Sequence, residues 1–194
     1  MNGDKKAIFL DRDGVLIRER GDYNYKTEDI ELVPGIATAL QKLAKQGFIF
    51  IVITNQGGIG KGLYRHRRVK EIHADLKDFF SGFGVNILEF YYCPHHPEKG
   101  FPGERPELKI NCDCRKPKTG MVQRAVAELN IDLAQSWFVG DTTTDVQTAK
   151  NAGIKSILLR TGYGGTDAKH AATPDFQADD LLAAVNQILG GTTP

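Results

Sequence analysis

The sequence predicts an α/β fold, a Rossmann-like, mostly parallel sheet flanked by helices. Two observations carry this expectation. Short apolar runs rich in β-branched and aromatic residues alternate along the chain with segments whose apolar residues recur at helical spacing. Acidic, hydroxyl and basic residues also gather directly after those apolar runs, where ligands bind in sheets of this kind.

The elements follow in order. AIFL, residues 7–10, is the first buried strand. In GIATALQKLAKQG, Ile36, Leu40 and Leu43 share one helical face, and Gly47 supplies the stop. FIFIVIT, residues 48–54, is the second strand. Val69, Ile72, Leu76 and Phe79 mark a helix through HRRVKEIHADLKDFF, and VNILEFYY, residues 85–92, is the third strand. Periodicity is then lost over residues 93–117, and a stretch of that length in a compact domain is usually functional or disordered. It resumes in a helix carrying Val122, Ala125, Val126 and Leu129. The strand WFVG, a helix over residues 144–151 with Gly153 behind it, the strand SILLR and a closing helix in DDLLAAVNQIL complete the pattern. The tail GGTTP is expected to fray. Residues 14–33 and 93–117 are each too short for an independent cap domain, so the chain reads as one domain over residues 1–194 with an open site.

Composition narrows the partners. The chain has 194 residues, 41% of them apolar and 25% charged, enough to close a core without disulfides. Its 25 basic and 24 acidic residues leave a formal charge of +1, which gives no footprint for nucleic acid or a membrane surface. No segment approaches the roughly 20 apolar residues that span a bilayer. These features predict a soluble, cytoplasmic protein, monomeric, with a small-molecule partner.

The strand ends carry the chemistry. Strand one runs into Asp11-Arg12-Asp13-Gly14, strand two into Thr54-Asn55-Gln56, strand three into a cysteine-bearing loop and Arg115-Lys116-Pro117, and strand four into Gly140-Asp141 with Asp145 beyond. Each taken alone can be a turn former or a helix N-cap, Asp145 above all. That explanation does not predict acids, hydroxyl, lysine and acid at successive strand ends. Carboxylates gathered on one rim repel, and Mg²⁺, which takes one or two carboxylates together with phosphate oxygens, suits them.

All three cysteines lie in residues 93–114. Cys93-x-His95 followed by Cys112-x-Cys114 offers three sulfurs and an imidazole, a complete tetrahedral set for Zn²⁺ with no open position, as in a structural site. A disulfide would leave an odd thiol and is disfavoured in a reducing compartment. GGIGKG is not a phosphate-binding P-loop, because Lys61 is followed by Gly62 and the glycine spacing is short; it reads as a flexible glycine-rich loop. His66, His73 and His170 read as ordinary surface residues.

FLDRDGV, ITNQ, RKPK and VGDTTTD, in that order and spanning nearly the whole chain, resemble the haloacid dehalogenase superfamily of phosphotransferases. The resemblance implies a core of that type with a zinc-braced loop and no large cap. It implies that Asp11 is the nucleophile and forms an aspartyl-phosphate, and that Asp13 serves as acid and then base. Thr54 and Lys116 would hold the phosphoryl oxygens. Mg²⁺ would be held by Asp11, Asp141 and the backbone carbonyl of Asp13. Val15 stands where Thr is commoner and is expected to be structural.

CPHHP and CDCRKP are similar to the zinc-bearing subgroup that holds the heptose bisphosphate 7-phosphatases and the histidinol-phosphate phosphatases. In that subgroup His95 ligates, and His96 is left to face substrate or solvent. TNQGGIGKG is nearer the heptose enzymes. This implies removal of the 7-phosphate of D-glycero-D-manno-heptose 1,7-bisphosphate, with histidinol phosphate as the alternative substrate. Asn55, Gln56 and Arg115 would bind substrate, as would the sugar-contacting loop of Glu19, Arg20, Gly21, Asp22 and Tyr23. Lys61 and Arg65 would be available to a second phosphate. Gly57 and Thr142 depart from the family pattern of Ser and Lys. A receiver-like phosphoacceptor shares the acid, hydroxyl and lysine, but Asp13, placed for acid–base work, argues for turnover.

Overall fold

The structure, a computed structural model, describes residues 4–190. Six strands form one sheet: β1 (Ala7–Leu10), β2 (Ile49–Asn55), β3 (Ile87–Cys93), β4 (Trp137–Gly140), β5 (Lys155–Leu159) and β6 (Phe176–Ala178). The order is β3-β2-β1-β4-β5-β6, with every neighbouring pair parallel. Parallel strands need crossovers, and α1 (Ile36–Ala44), α2 (His66–Gly82), α3 (Gly120–Leu129) and α4 (Thr143–Ala152) lie between successive strands, with α5 (Leu181–Ile188) after the last. Strand order reverses between β1 and β4, which opens a crevice beyond their carboxyl ends.

Strand side chains alternate faces, and the alternation builds two cores. Ile8, Leu10, Phe50, Val52 and Val139 pack in one, beneath Leu40, Leu76 and Val185 of the helices on that side. Ala7, Phe9, Ile51, Ile53 and Phe138 pack in the other, against Val122, Ala125 and Ala149. β1 is therefore buried on both faces, as is β4, which fixes the strands that lead into Asp11 and Asp141. Val15 is fully buried, in agreement with a structural role. Between β1 and α1 the chain makes a 3-10 turn at Thr27–Asp29 and two isolated bridges, Asp13 with Ile17 and Ile17 with Leu32, so the described residues there form no cap domain. No helix among the described residues is long and apolar enough to cross a membrane.

Some expectations need correction. On α2 the core residue is Phe80, fully buried, whereas Phe79 is 39% exposed, because the position one full turn after Leu76 is 80. His73 is not a surface residue: it is buried on α2 and stacks on Phe90 with ring centroids 4.5 Å apart. Burial of the ring depresses its pKa to about 3, so it is neutral. β6 was not expected at all; its side chains are largely exposed, and it exists by pairing with β5. Of the tail expected to fray, all but Gly190 lies outside the described residues.

Phe80→Ala should lower unfolding stability by about 3–5 kcal/mol, as a large buried ring is lost. Phe79→Ala should cost no more than about 1 kcal/mol. Denaturant titration of the two variants checks the assignment, and equal losses would contradict it.

Candidate active site

The crevice at the reversal of strand order holds a cavity of about 520 Å³, bordered by residues from the ends of β1, β2 and β4 and from the loop after β3. The size suits a small polar ligand. β1 extends its ladder by one residue, with Asp11 N donating to Val139 O at 3.0 Å, and the chain then turns sharply at Gly14. Gly14 has φ +79°, and a Cβ there would stand 2.2 Å from Asp141 Oδ2. Only glycine lets strands one and four bring their acids this close.

Asp11, Asp141 and Asp145 form one buried cluster, each offering an oxygen within 4.8 Å of the others. Lys116 is its cation. Lys116 Nζ lies 2.8 Å from Asp11 Oδ2 and 2.6 Å from Asp145 Oδ1, with its side chain 2% exposed. Burial alone would depress the lysine, but Asp11 and Asp145 outweigh it and hold the ammonium charged. Three acids against one base leave negative charge in excess. Burial, reinforced by Asp145 and Asp13 against the pull of Lys116, pushes Asp11 up to about 7. Burial with Asp145 and Asp11 pushes Asp141 up to about 9. Hard oxygen donors in this number and sign fit a divalent cation such as Mg²⁺.

Asp145 has two tasks that its sequence position leaves open. Its carboxylate completes a capping box with Thr142 at the start of α4, accepting from Thr142 N at 3.1 Å, while its other oxygen takes Lys116. Gly140 leaves room for it, since a Cβ there would lie 2.2 Å from Asp145 Cβ. Asp13 differs from the three. Its carboxylate is outside the cluster and accepts from Arg12 Nε (3.1 Å) and Nη2 (2.9 Å), Asn24 Nδ2 (2.8 Å) and Gln56 Nε2 (3.1 Å). Burial pulls its pKa upward, but Arg12 and these hydrogen bonds prevail and keep it below the usual carboxylate value. Arg12 and Asn24, both buried, are functional candidates that the strand-end reading passed over.

The residues at the end of β2 turn inward. Thr54 Oγ1 accepts from Gln56 Nε2 at 2.9 Å, and Gln56 Oε1 accepts from Tyr64 Oη at 2.9 Å. Asn55 clamps the backbone of Lys116, its Oδ1 accepting from Lys116 N at 3.0 Å and its Nδ2 donating to Lys116 O at 3.2 Å. Asn55 and Gln56 thus border the cavity while their polar atoms position other residues. The glycine loop that follows is closely packed: residues 57–60 are buried, and a Cβ at Gly58 would fall 2.3 Å from the Tyr64 ring.

Cys93 closes β3, and the loop returns Cys112 and Cys114 to it. The sulfurs stand 3.2–3.5 Å apart, and His95 Nδ1 lies 3.2 Å from Cys114 Sγ and 3.6 Å from Cys93 Sγ. Disulfides require about 2.05 Å; all three thiols are free. A tetrahedron with bonds of about 2.3 Å to sulfur has edges of about 3.8 Å, and the four donors are near that arrangement. Lys116 follows Cys114 by two residues. His96 faces neither substrate nor solvent: it is buried, edge-on to Phe101 at 5.5 Å.

Among the other predicted contacts, Glu19, Gly21, Asp22, Tyr23, Lys61 and Arg115 border the cavity, whereas Arg20 and Arg65 are exposed and do not. A second rim was missed. The loop after β5 brings Tyr163, Asp167 and Lys169 to the cavity. Tyr163 N donates to Asp141 Oδ2 at 2.7 Å, and Asp167 accepts from Thr143 N at 2.7 Å. The strand-end rule, carried on past strand four to the polar residues after SILLR, identifies it.

The arrangement sets a carboxylate of the kind that can act as a nucleophile beside a buried lysine, among oxygen donors that fit a cation. A HAD-hydrolase-like family model matches residues 113–184. The D-glycero-beta-D-manno-heptose-1,7-bisphosphate 7-phosphatase of Haemophilus ducreyi is 40% identical over 161 residues, covering 81% of this chain and 85% of that protein. The D-glycero-D-manno-heptose-1,7-bisphosphate 7-phosphatase of Thermosynechococcus vestitus is 36% identical over 98% of each chain. Among solved structures, the D,D-heptose 1,7-bisphosphate phosphatase of B. bronchiseptica, complexed with magnesium and phosphate, superposes with a TM-score of 0.82. It is 29% identical, over 95% of this chain and 98% of that one.

The raised acids predict a pH-dependent response to metal. Folded-state values above the unfolded 3.8 mean that the free protein gains from protonated Asp11 and Asp141 at low pH and loses that gain as pH rises through about 7 and about 9. A divalent cation displaces those protons. The increase in Tm on adding Mg²⁺ should therefore be small at pH 5 and grow through pH 9, read by thermal scans in matched buffers. An increment independent of pH would contradict the shared site.

Proposed function

The chain belongs to the heptose-1,7-bisphosphate 7-phosphatase family of HAD-like hydrolases, and on that premise we propose that it removes the 7-phosphate of D-glycero-D-manno-heptose 1,7-bisphosphate. It is a phosphoric monoester hydrolase of sugar bisphosphates. The observation that carries the substrate is the 36% identity to a relative of that name over 98% of both chains. A receiver-like phosphoacceptor and histidinol phosphate as substrate have no comparable support.

In the proposed reaction one carboxylate oxygen of Asp11 attacks phosphorus in line, the bond to the sugar oxygen breaks, and an aspartyl-phosphate forms. Asp13 gives the departing sugar oxygen its proton, then takes one from the water that hydrolyses the acyl phosphate. The bound phosphoryl dianion favours the protonated Asp13 of the first step, while Arg12 favours the ionised form needed in the second. Lys116, already aimed at Asp11, and Thr54 receive the phosphoryl oxygens as their charge redistributes. Mg²⁺, held by Asp11, Asp141 and the Asp13 carbonyl, would neutralise phosphoryl charge. Asp145 acts as a positioning residue through Lys116.

Zn²⁺ on Cys93, His95, Cys112 and Cys114 is proposed as structural, with the task of fixing Arg115 and Lys116 beside the last ligand. The whole chain works on this reading as one domain and a monomer in the cytoplasm, where thiols stay reduced and available to metal. Neither nucleic acid nor membrane is a partner.

Phosphate release with Mg²⁺ from both anomers of heptose 1,7-bisphosphate, beside histidinol phosphate, tests the substrate; a preference for histidinol phosphate would overturn it. Asp11→Asn should lower kcat by at least about 10³-fold. Turnover close to that of the parent enzyme would remove Asp11 as nucleophile. Cys112→Ala should lose its zinc, measured by elemental analysis, and reduce kcat about 10- to 100-fold through displacement of Lys116. A zinc-free variant with full activity would refute the bracing role.

A further inference from the structure

The tip of the cysteine loop touches the cavity through an intermediary. Lys61 borders the same cavity as Asp11, and among the described residues no carboxylate pairs with it. Its Nζ instead lies 4.3 Å from the ring centroid of Phe101 and 5.4 Å from that of Tyr23. Aromatic faces fix an ammonium without neutralising it. Phe101 is itself anchored. Phe101 N donates to Glu104 Oε2 at 3.1 Å, Lys109 pairs with Glu104 at 3.3 Å and lies over the same Phe101 ring at 4.8 Å, and His96 packs edge-to-face with it.

The two loops also interlock through backbone. Gly60 N donates to Pro94 O and Arg105 N to Gly60 O, each at 3.0 Å. A Cβ at Gly62 would stand 1.9 Å from Gly103 O, so the approach of the loops depends on glycine there. Arg115 borders the other end of the same turn, its Nη1 3.2 Å from where a Gly57 Cβ would be, and Lys61 N donates to Gly57 O at 3.0 Å. One short turn is thus flanked by an arginine from the metal-binding end of the loop and a lysine held by its tip.

On the reading that Lys61 and Arg115 face a second phosphate of the substrate, apart from the phosphate that Asp11 attacks, we propose that Phe101 is a specificity-determining positioning residue that fixes Lys61 there. This rests on the reading of the chain as a sugar bisphosphate phosphatase. It adds a second task for the cysteine loop: one end places Lys116 for chemistry, the tip places Lys61 for selection.

The test compares heptose 1,7-bisphosphate with heptose 7-phosphate, and fructose 1,6-bisphosphate with fructose 6-phosphate, in Phe101→Ala, Phe101→Leu, Phe101→Tyr, Lys61→Ala and the Phe101→Ala/Lys61→Ala double variant. Phe101→Ala should raise KM for the bisphosphate about two- to fivefold, the factor expected of an exposed cation–aromatic contact. Its kcat, its zinc content and its KM for the monophosphate should stay unchanged. Phe101→Tyr should restore the parent value. Phe101→Leu, which keeps the bulk without the aromatic face, should behave as Phe101→Ala and stands in for it if that variant fails to fold. In the Lys61→Ala background the loss of Phe101 should add nothing.

Equal changes on mono- and bisphosphate, additivity with Lys61→Ala, or a parental KM in Phe101→Leu would overturn the proposal. So would a parent enzyme with no bisphosphate preference in either pair. A preference in the hexose pair alone would sink the heptose assignment and leave the role of Phe101 standing.

Discussion

Three carboxylates share one buried rim, and a single ammonium, Lys116, lies among them. Much of the architecture around the site answers that electrostatic problem. Removing one member of a buried ion pair typically costs about 3–5 kcal/mol, because the partner is left charged and dry. The lysine therefore has to be held in place by something more reliable than its flexible stem. Asn55 clamps its backbone on both sides, and Cys114, two residues earlier, ties it to the end of β3 through the four-donor cluster. A loop from residue 93 to 117 with little regular structure of its own cannot fix a side chain to a fraction of an ångström. The four sulfur and imidazole donors, gathered from both its ends, fit a metal ion that would do so.

The same constraint separates the two acids of the first strand end. Asp11 stays in the cluster, where burial and like charges raise it; Asp13, two residues on, is drawn out of it by Arg12, Asn24 and Gln56 and is lowered. Adjacent carboxylates with opposed environments can take opposed tasks. Gly14 makes the divergence possible, because only a residue without Cβ can turn the chain against Asp141.

Much of this was legible in the sequence. β1, β2 and β4 are apolar runs whose final residues announce the site, and the crevice rule turns their order into geometry. Cys93, His95, Cys112 and Cys114 come together as their spacing predicts. What escaped depends on contacts remote in sequence. FQA has too few residues for a periodic signal and becomes β6 only beside β5. Phe79 and Phe80 both fit a helix, and the exact rotation of α2 decides which is buried. Asp145 reads as a cap, and it is one; that its second oxygen meets Lys116 depends on a residue 29 positions away. His73 reads as polar, yet α2 turns it onto Phe90.

The absence of a cap domain among the described residues gives the rim loops a heavier task. Phosphoryl transfer gains from a site that excludes water, and enzymes with caps obtain this by closure. Here the cavity of about 520 Å³ is walled by loops from four sources: residues 19–24, the turn before Gly62, the cysteine loop and the residues after β5. Three of these walls are tied to the acidic and polar strand ends, or to the lysine beside them, by direct hydrogen bonds, at Asn24 to Asp13, Asn55 to Lys116 and Tyr163 to Asp141. An open cavity of this kind excludes water only when the ligand itself fills it. A substrate with polar groups along its length meets that requirement better than a small phosphate ester, so selectivity and catalysis share the same walls. Contacts to the remote end of such a ligand then hold its phosphate in the crevice without the closure of a cap.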